Sequence, residues 1–443
     1  MATYYWVGGS GTWDNANTTN WSASSGGAGG AGVPGAADNA FIDANSGNGV
    51  ITLGSDVTVR IVVFTAFTGT LDFGAYKITV AGGGSAGLTA FQALTTMTVT
   101  GNKVVEFTYS GGTGSRNIVS GPVSESNSIS FKITAGSDVV AFTGTNASAL
   151  NVDFTGFSGS FTPNAAHKVY GDFTLSATMT VTPRTSATIF AATSGTKLIT
   201  TNGVTMDSPI TFDGAGGTWR LEDNLTIGST RAMTLTNGTL NANNKNVSIG
   251  TFATAAGGAK VLTLGNGTWT VAGATWNTNT DAADVTVNPG TSTISMTSAS
   301  AKTFSGGGKT FNVLNQGGAG ALTISGSNTF ANITNTVQPA TIRFTAGTTQ
   351  TVSAFGVAGT AGNLITLDTT VAGTRATLSD ASGVNSVSYC SIKDINATGG
   401  AFWQAYTVNG NVDGGNNLGW DFNATAWSYM YNVRKSKRIL PGV

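Results

Sequence analysis

Carboxylates have the widest chemical reach in this chain, and few of them stand close together. Asp213, Glu222 and Asp223, with Arg220 beside them, form the densest acidic group. Two carboxylates ~5–9 Å apart suffice to cleave a glycosidic bond, one acting as acid and the other as base or nucleophile. The plainer expectation is a set of corner residues with a local ion pair to Arg220. A second constellation is Asn279-Thr280-Asp281 with Asp284. The single His167 and the single Cys390 exclude a Cys/His zinc set, and one thiol forms no internal disulfide. Both are expected to be structural, the cysteine as a small buried hydrophobe. Trp6, Trp13, Trp21, Trp219, Trp269, Trp276 and Trp403 offer faces for stacking on sugar rings, but cap and core packing is the first expectation for them. Sequons such as Asn224-Leu225-Thr226 follow from composition alone. There is no phosphate-binding loop, nucleophile elbow or metal-ligand run. The sequence therefore predicts no catalytic, cofactor or metal site.

The elements that must carry these residues are short strands. Charged residues make up 9% of the 443, against about 25% in an average soluble domain. Glycine accounts for 62 positions and threonine for about 70, whereas proline occurs 8 times. Helices need Glu, Lys, Arg and Gln on their exposed faces, and these are scarce. Thr, Val, Ile and Phe, punctuated by Gly and Asn, favour strands. With 21 basic residues against 21 acidic there is no cationic surplus for nucleic acid. The 40% hydrophobic content excludes an unfolded chain, and no apolar run reaches the ~18 residues of a membrane span. Met1–Gly11 lacks the basic and apolar regions of a secretory signal, so the chain is expected to be assembled in a cytoplasm.

Runs such as Val57–Val63, Lys77–Val80, Phe173–Leu175, Leu225–Ile227, Val247–Ile249, Val261–Leu264, Leu322–Ile324 and Ile342–Phe344 recur throughout. One echo is specific. Gly69-Thr70-Leu71-Asp72, four residues, then Lys77-Ile78-Thr79-Val80 matches Gly238-Thr239-Leu240-Asn241, four residues, then Asn246-Val247-Ser248-Ile249. A strand, a Gly/Asn corner and a second strand describe one turn of a solenoid, which must stack on a neighbour to bury its apolar face. The prediction is an all-β, right-handed parallel β-helix over residues 45–422, with ~20–25 residues per coil and roughly 15–18 coils. Residues 1–44 form an aromatic N-terminal cap and residues 423–443 a short tail. Tandem β-sandwiches are the alternative. Ala282–Gly308 is the least regular stretch and reads as an inserted sub-domain.

Solenoid ends need caps, because open edge strands aggregate. Tyr5-Trp6-Val7-Gly8-Gly9, Gly11-Thr12-Trp13, Asn20-Trp21 and Val33-Pro34-Gly35-Ala36-Ala37-Asp38 resemble the opening segment of bacterial and phage β-helix proteins. Tyr389–Asp394, Trp403 and Gly414-Gly415-Asn416-Asn417-Leu418-Gly419-Trp420-Asp421-Phe422 resemble their closing segment. Asn279-Thr280-Asp281 and Ser391-Ile392-Lys393 resemble the first and last motifs of the polygalacturonase family. That family also requires an Asp-Asp pair and a Gly-His-Gly between them, and neither occurs here. The tail lacks acids and carries Trp427, Tyr429 and Tyr431, then Arg434, Lys435, Lys437 and Arg438. It reads either as a solvated tail or as a docking peptide with aromatic anchors and cations for an acidic partner surface. The Gly/Thr/Asn texture and the Gly-Asn-Asn-x-Gly-Trp close also resemble tail and surface proteins of phages. The resemblance implies a non-catalytic virion component: a fibre, spike or head-decoration subunit. Its expected partners are other capsid or tail proteins, further copies of itself (a trimer among them) and a host surface glycan. A glycan depolymerase and a bacterial surface adhesin are the alternatives.

Overall fold

In a computed structural model, residues 1–121, 124–144 and 147–423 are described. The chain is all-β, a parallel β-solenoid of about 17 turns. It divides into two compact units, Met1–Val247 with Gly257–Val261, and Ser248–Ala256 with Leu262 onward. The parallel ladders remove the tandem-sandwich alternative, which requires antiparallel sheets.

Alternation within each strand builds the core of the first unit. Ile78, Val105, Phe131, Val152, Phe173 and Ile199 occupy one register column on successive rungs, each at most 1% exposed. The adjoining column, Thr79, Glu106, Lys132, Asp153, Thr174 and Thr200, faces outward. The repeated Gly-Thr-Leu-[Asp/Asn] motif sets two of the corners. Asp72 Oδ1 accepts from the Gly74 amide at 3.1 Å, and Asn241 Oδ1 accepts from the Asn243 amide at 2.8 Å. Gly74 and Asn243 both take positive φ, 52° and 49°, and the chain then re-enters a strand. The fourth motif position is thus an Asx turn in both copies.

The stack begins earlier than the predicted boundary at residue 45. Thr3–Trp6 pairs in parallel with Asn39–Ile42, and Gly11–Trp13 with Val50–Leu53. The capping function falls on Trp21–Ser22, which lies antiparallel on Thr3–Trp6. Trp6, Trp13 and Trp21 are fully buried in an edge-to-face cluster with centroids 5.1–5.2 Å apart.

The second unit repeats the scheme. Trp269, Ile294, Leu314, Ile333 and Phe355 form one inward column, and Leu322, Ile342, Leu367 and Ile392 another. Ala282–Gly308 is not an insertion. Thr293–Met296 and Lys302–Ser305 continue the two ladders in register. The pattern looked irregular because Lys302 occupies an inward position where a hydrophobe was expected. No helix among the described residues is long and apolar enough to cross a membrane.

Candidate functional site

Three successive rungs of the first unit bring a mixed polar surface together. His167–Val169, Thr188–Phe190 and Ile210–Leu221 pair with His167 opposite Thr188 and Ile210, and Val169 opposite Phe190 and Phe212. Val169, Phe190 and Phe212 are buried and anchor the strands. Lys168 therefore points outward, and the residues just past the buried column, Tyr170, Ala191 and Asp213, form the floor of a cleft. The segment Ser124–Ser126 lines the same open cleft, whose volume is about 630 Å³. Glu125 ties this arm down. Its Oε2 accepts from the Thr193 amide at 2.9 Å and from the Thr193 hydroxyl at 2.6 Å, and Lys197 lies 3.4 Å from Oε1. Partial burial pushes the Glu125 carboxyl up, but the Thr193 donors and Lys197 outweigh it and hold the group below the usual carboxylate range. Asp213 Oδ1 accepts from Asn237 Nδ2 at 2.7 Å. Lys168 is exposed, with no hydrogen bond or ion pair among the described residues.

The acids singled out in the sequence separate into different tasks. Asp223 Oδ1 accepts from the Thr201 amide at 2.9 Å and the Thr201 hydroxyl at 3.1 Å, and Oδ2 accepts from the Asn202 amide. It tethers one coil to the next. Glu222 pairs with Arg220 at 2.6 Å, the local ion pair expected. Only Asp213 reaches the cleft, and its companion there is Glu125, which sequence spacing did not indicate. The loop fold that carries Glu125 to Thr193, 68 residues on, leaves no periodic signal.

The polygalacturonase-like motifs are not brought together. Asn279-Thr280-Asp281 follows the rung Thr275–Asn277, and Ser391 lies in Cys390–Ile392, five rungs along the same ladder. At ~4.8 Å per rung the separation is roughly 24 Å, far beyond a pair flanking one bond. Asp281 has φ 50° and opens a short 3₁₀ turn containing Asp284.

His167 is 1% exposed between Phe142 and Phe161, with ring centroids at 5.2 and 5.8 Å. Its Nε2 meets the Thr188 hydroxyl and its Nδ1 the Ala165 carbonyl, both at 3.3 Å. Burial pushes the imidazole down to about 4, so it is neutral near pH 7. Cys390 is buried and its thiol is pushed up to about 12, which leaves it unreactive. Trp6, Trp13, Trp21, Trp219, Trp269 and Trp276 are fully buried and Trp403 is 2% exposed, so these rings pack the interior and present no stacking face. Among the described residues no group of three or more His, Cys, Asp or Glu is placed to hold a metal ion. The docking candidates Trp427, Tyr429, Tyr431, Arg434, Lys435, Lys437 and Arg438 lie outside the described residues. No family model, curated protein or solved structure matches the chain.

Proposed function

We propose that this chain is a non-catalytic structural component of a bacteriophage virion, a fibre, spike or head-decoration subunit. The observation that carries the reading is the use made of surface polar groups. Asp56, Asn151, Asp172, Asp223 and Asn224 each accept from a backbone amide 21–26 residues away, on an adjacent coil. These side chains join coil to coil, which suits an element that must endure outside a cell. The phage-like texture and closing motif support the same assignment. In this reading the basic-aromatic tail attaches the solenoid to capsid or tail proteins, and copies of the chain associate laterally, as a trimer or another homo-oligomer. Neither a cofactor nor nucleic acid has a part in it. Immunogold electron microscopy of purified phage particles, with antibody against this chain, tests it. Label at a fixed place on the particle is the expected result and separates head from tail. Antigen found only free or on cells would overturn the assignment.

A further inference from the structure

The cleft of the first unit has a chemistry that coil-to-coil tethering does not explain. Its polar groups differ in kind. Lys168 presents donors only, Asp213 presents an acceptor, and the hydroxyls of Ser124, Ser126 and Thr193 serve as both. Asp213 Oδ1 is engaged by Asn237, and Oδ2 has no donor among the described residues. The four charged side chains in and beside the cleft, Glu125, Asp213, Lys168 and Lys197, cancel. An ionic ligand therefore gains no net attraction, and the polar floor and arm do not suit an apolar one. A ligand bearing many hydroxyls, each able to donate and accept, uses both the ammonium and the carboxylate. The volume of about 630 Å³ lies in the range of ligand sites.

We propose that this cleft binds a neutral oligosaccharide segment without cleaving it, with Lys168 and Asp213 as the principal hydrogen-bonding groups and the Ser124–Ser126 arm lining the groove. Glu125, engaged by the Thr193 amide and hydroxyl and by Lys197, does not suit the role of a general acid. Glycoside hydrolysis needs a carboxylic acid that keeps its proton near neutral pH, and the Thr193 and Lys197 contacts hold Glu125 ionised. The proposal does not depend on the virion assignment, since a glycan-binding solenoid is as useful on a cell surface as on a particle.

Saturation-transfer NMR on the full chain tests it, with maltohexaose, isomaltohexaose, cellohexaose and mannohexaose as probes and hexagalacturonate as the anionic comparator. At least one neutral hexamer is expected to receive saturation and to bind more tightly than hexagalacturonate. Lys168→Ala and Asp213→Ala, both at exposed outward positions, should each weaken that binding about ten-fold or more, as loss of a hydrogen bond to a charged group does. Their melting curves should overlay the parent's. Glu125→Gln should weaken binding too, by loosening the arm. Absence of saturation in all four neutral hexamers, a preference for hexagalacturonate, or binding unchanged in both alanine variants would overturn the assignment. Release of new reducing ends by the parent protein would overturn the claim that the cleft only binds.

Discussion

Arg116 and Asp138 make a two-point ion pair that is wholly buried, Nε to Oδ2 at 2.9 Å and Nη2 to Oδ1 at 2.7 Å. Tyr109 and Phe157 lie 5.6 Å from the guanidinium, and Nη2 also donates to the Ala135 carbonyl at 3.1 Å. Removing one partner strands a buried charge, whereas removing both does not. Asp138→Asn is therefore expected to cost about 3–5 kcal/mol, and Arg116→Met with Asp138→Leu to recover most of it, measured by chemical denaturation. A loss in the double variant as large as in the single would show that the pair itself, and not the uncompensated charge, carries the stability. Lys302 is a second buried charge, 2% exposed, with Nζ donating to the carbonyls of Ser298, Gly318 and Gly320 at 2.9, 3.2 and 2.6 Å. Burial pushes its pKa down to about 8, against about 10.4 in an unfolded chain. The folded state thus holds this proton less tightly than the unfolded state. Below pH 8 the fold carries the whole cost, and stability is regained as pH rises from about 8 to about 10.4. Melting curves across that interval should rise with pH in the parent relative to Lys302→Met, and parallel curves would refute it. Neither residue drew notice in the sequence, because each is an isolated charge. Yet each stands two positions before an inward hydrophobe, Arg116 before Ile118 and Lys302 before Phe304, so the alternation alone placed both side chains inside.

Several strands follow that rule at their leading inward position. His167, Lys260, Lys302, Asn328 and Gln350 all stand there, and each is buried with a polar atom facing a corner carbonyl. Corners leave carbonyls unpaired by the ladder, and a buried unpaired carbonyl is costly, so the first inward side chain supplies the missing donor. Asn328 and Gln350 also join rung to rung, with Nδ2 to Oε1 at 3.1 Å in paired register. The closing Gly-Asn-Asn-x-Gly-Trp segment works by the same logic. Asn417 Oδ1 accepts from the Ile395 amide at 3.0 Å, and its Nδ2 donates to the Ile392 carbonyl and to Asp413 at 2.7 Å each. Asn416, at φ 54°, donates to Asp394 at 2.6 Å. Gly419, at φ 74°, lies where a Cβ would fall 1.9 Å from the Ala397 carbonyl oxygen. Asn417→Ala removes three hydrogen bonds at about 1 kcal/mol each, so the last coil should open about 2–3 kcal/mol more readily. Amide exchange at Ile395 is the direct readout, and an unchanged rate would show that water replaces the carboxamide without loss. The strand pattern, the repeated Asx corner and both aromatic ends were legible in the sequence, because alternation and turn chemistry are local. The Ser124–Ser126 arm was not, since its anchor lies three coils away.

At the scale of the whole molecule, 9% charged residues give little electrostatic repulsion between copies of the chain. That places the burden on its edges. Parallel ladders end in unpaired amides and carbonyls that invite another chain, and charge is not available here to discourage it. In the sheet of Thr3–Trp6 the N-terminal edge is closed by backbone instead, while Gly11–Trp13 ends its own sheet. Trp21–Ser22 turns antiparallel onto Thr3–Trp6, with Tyr5 opposite Ser22 and Trp6 opposite Trp21. A two-residue strand holds little by itself, so the cap depends on the packing of Trp21 against Trp6 and Trp13. Trp21→Ala removes that anchor at a cost of about 3–5 kcal/mol, concentrated at this end. The short strand is expected to detach and leave Thr3–Trp6 as an open edge. Sedimentation velocity should then show association that grows with protein concentration beyond that of the parent. Adding Tyr5→Pro, which deletes one ladder amide from the uncovered edge, should reduce it. If Trp21→Ala loses stability and its association stays at the parent level, the tryptophan cluster is packing for the first coil, and the guard against edge pairing lies elsewhere in the chain.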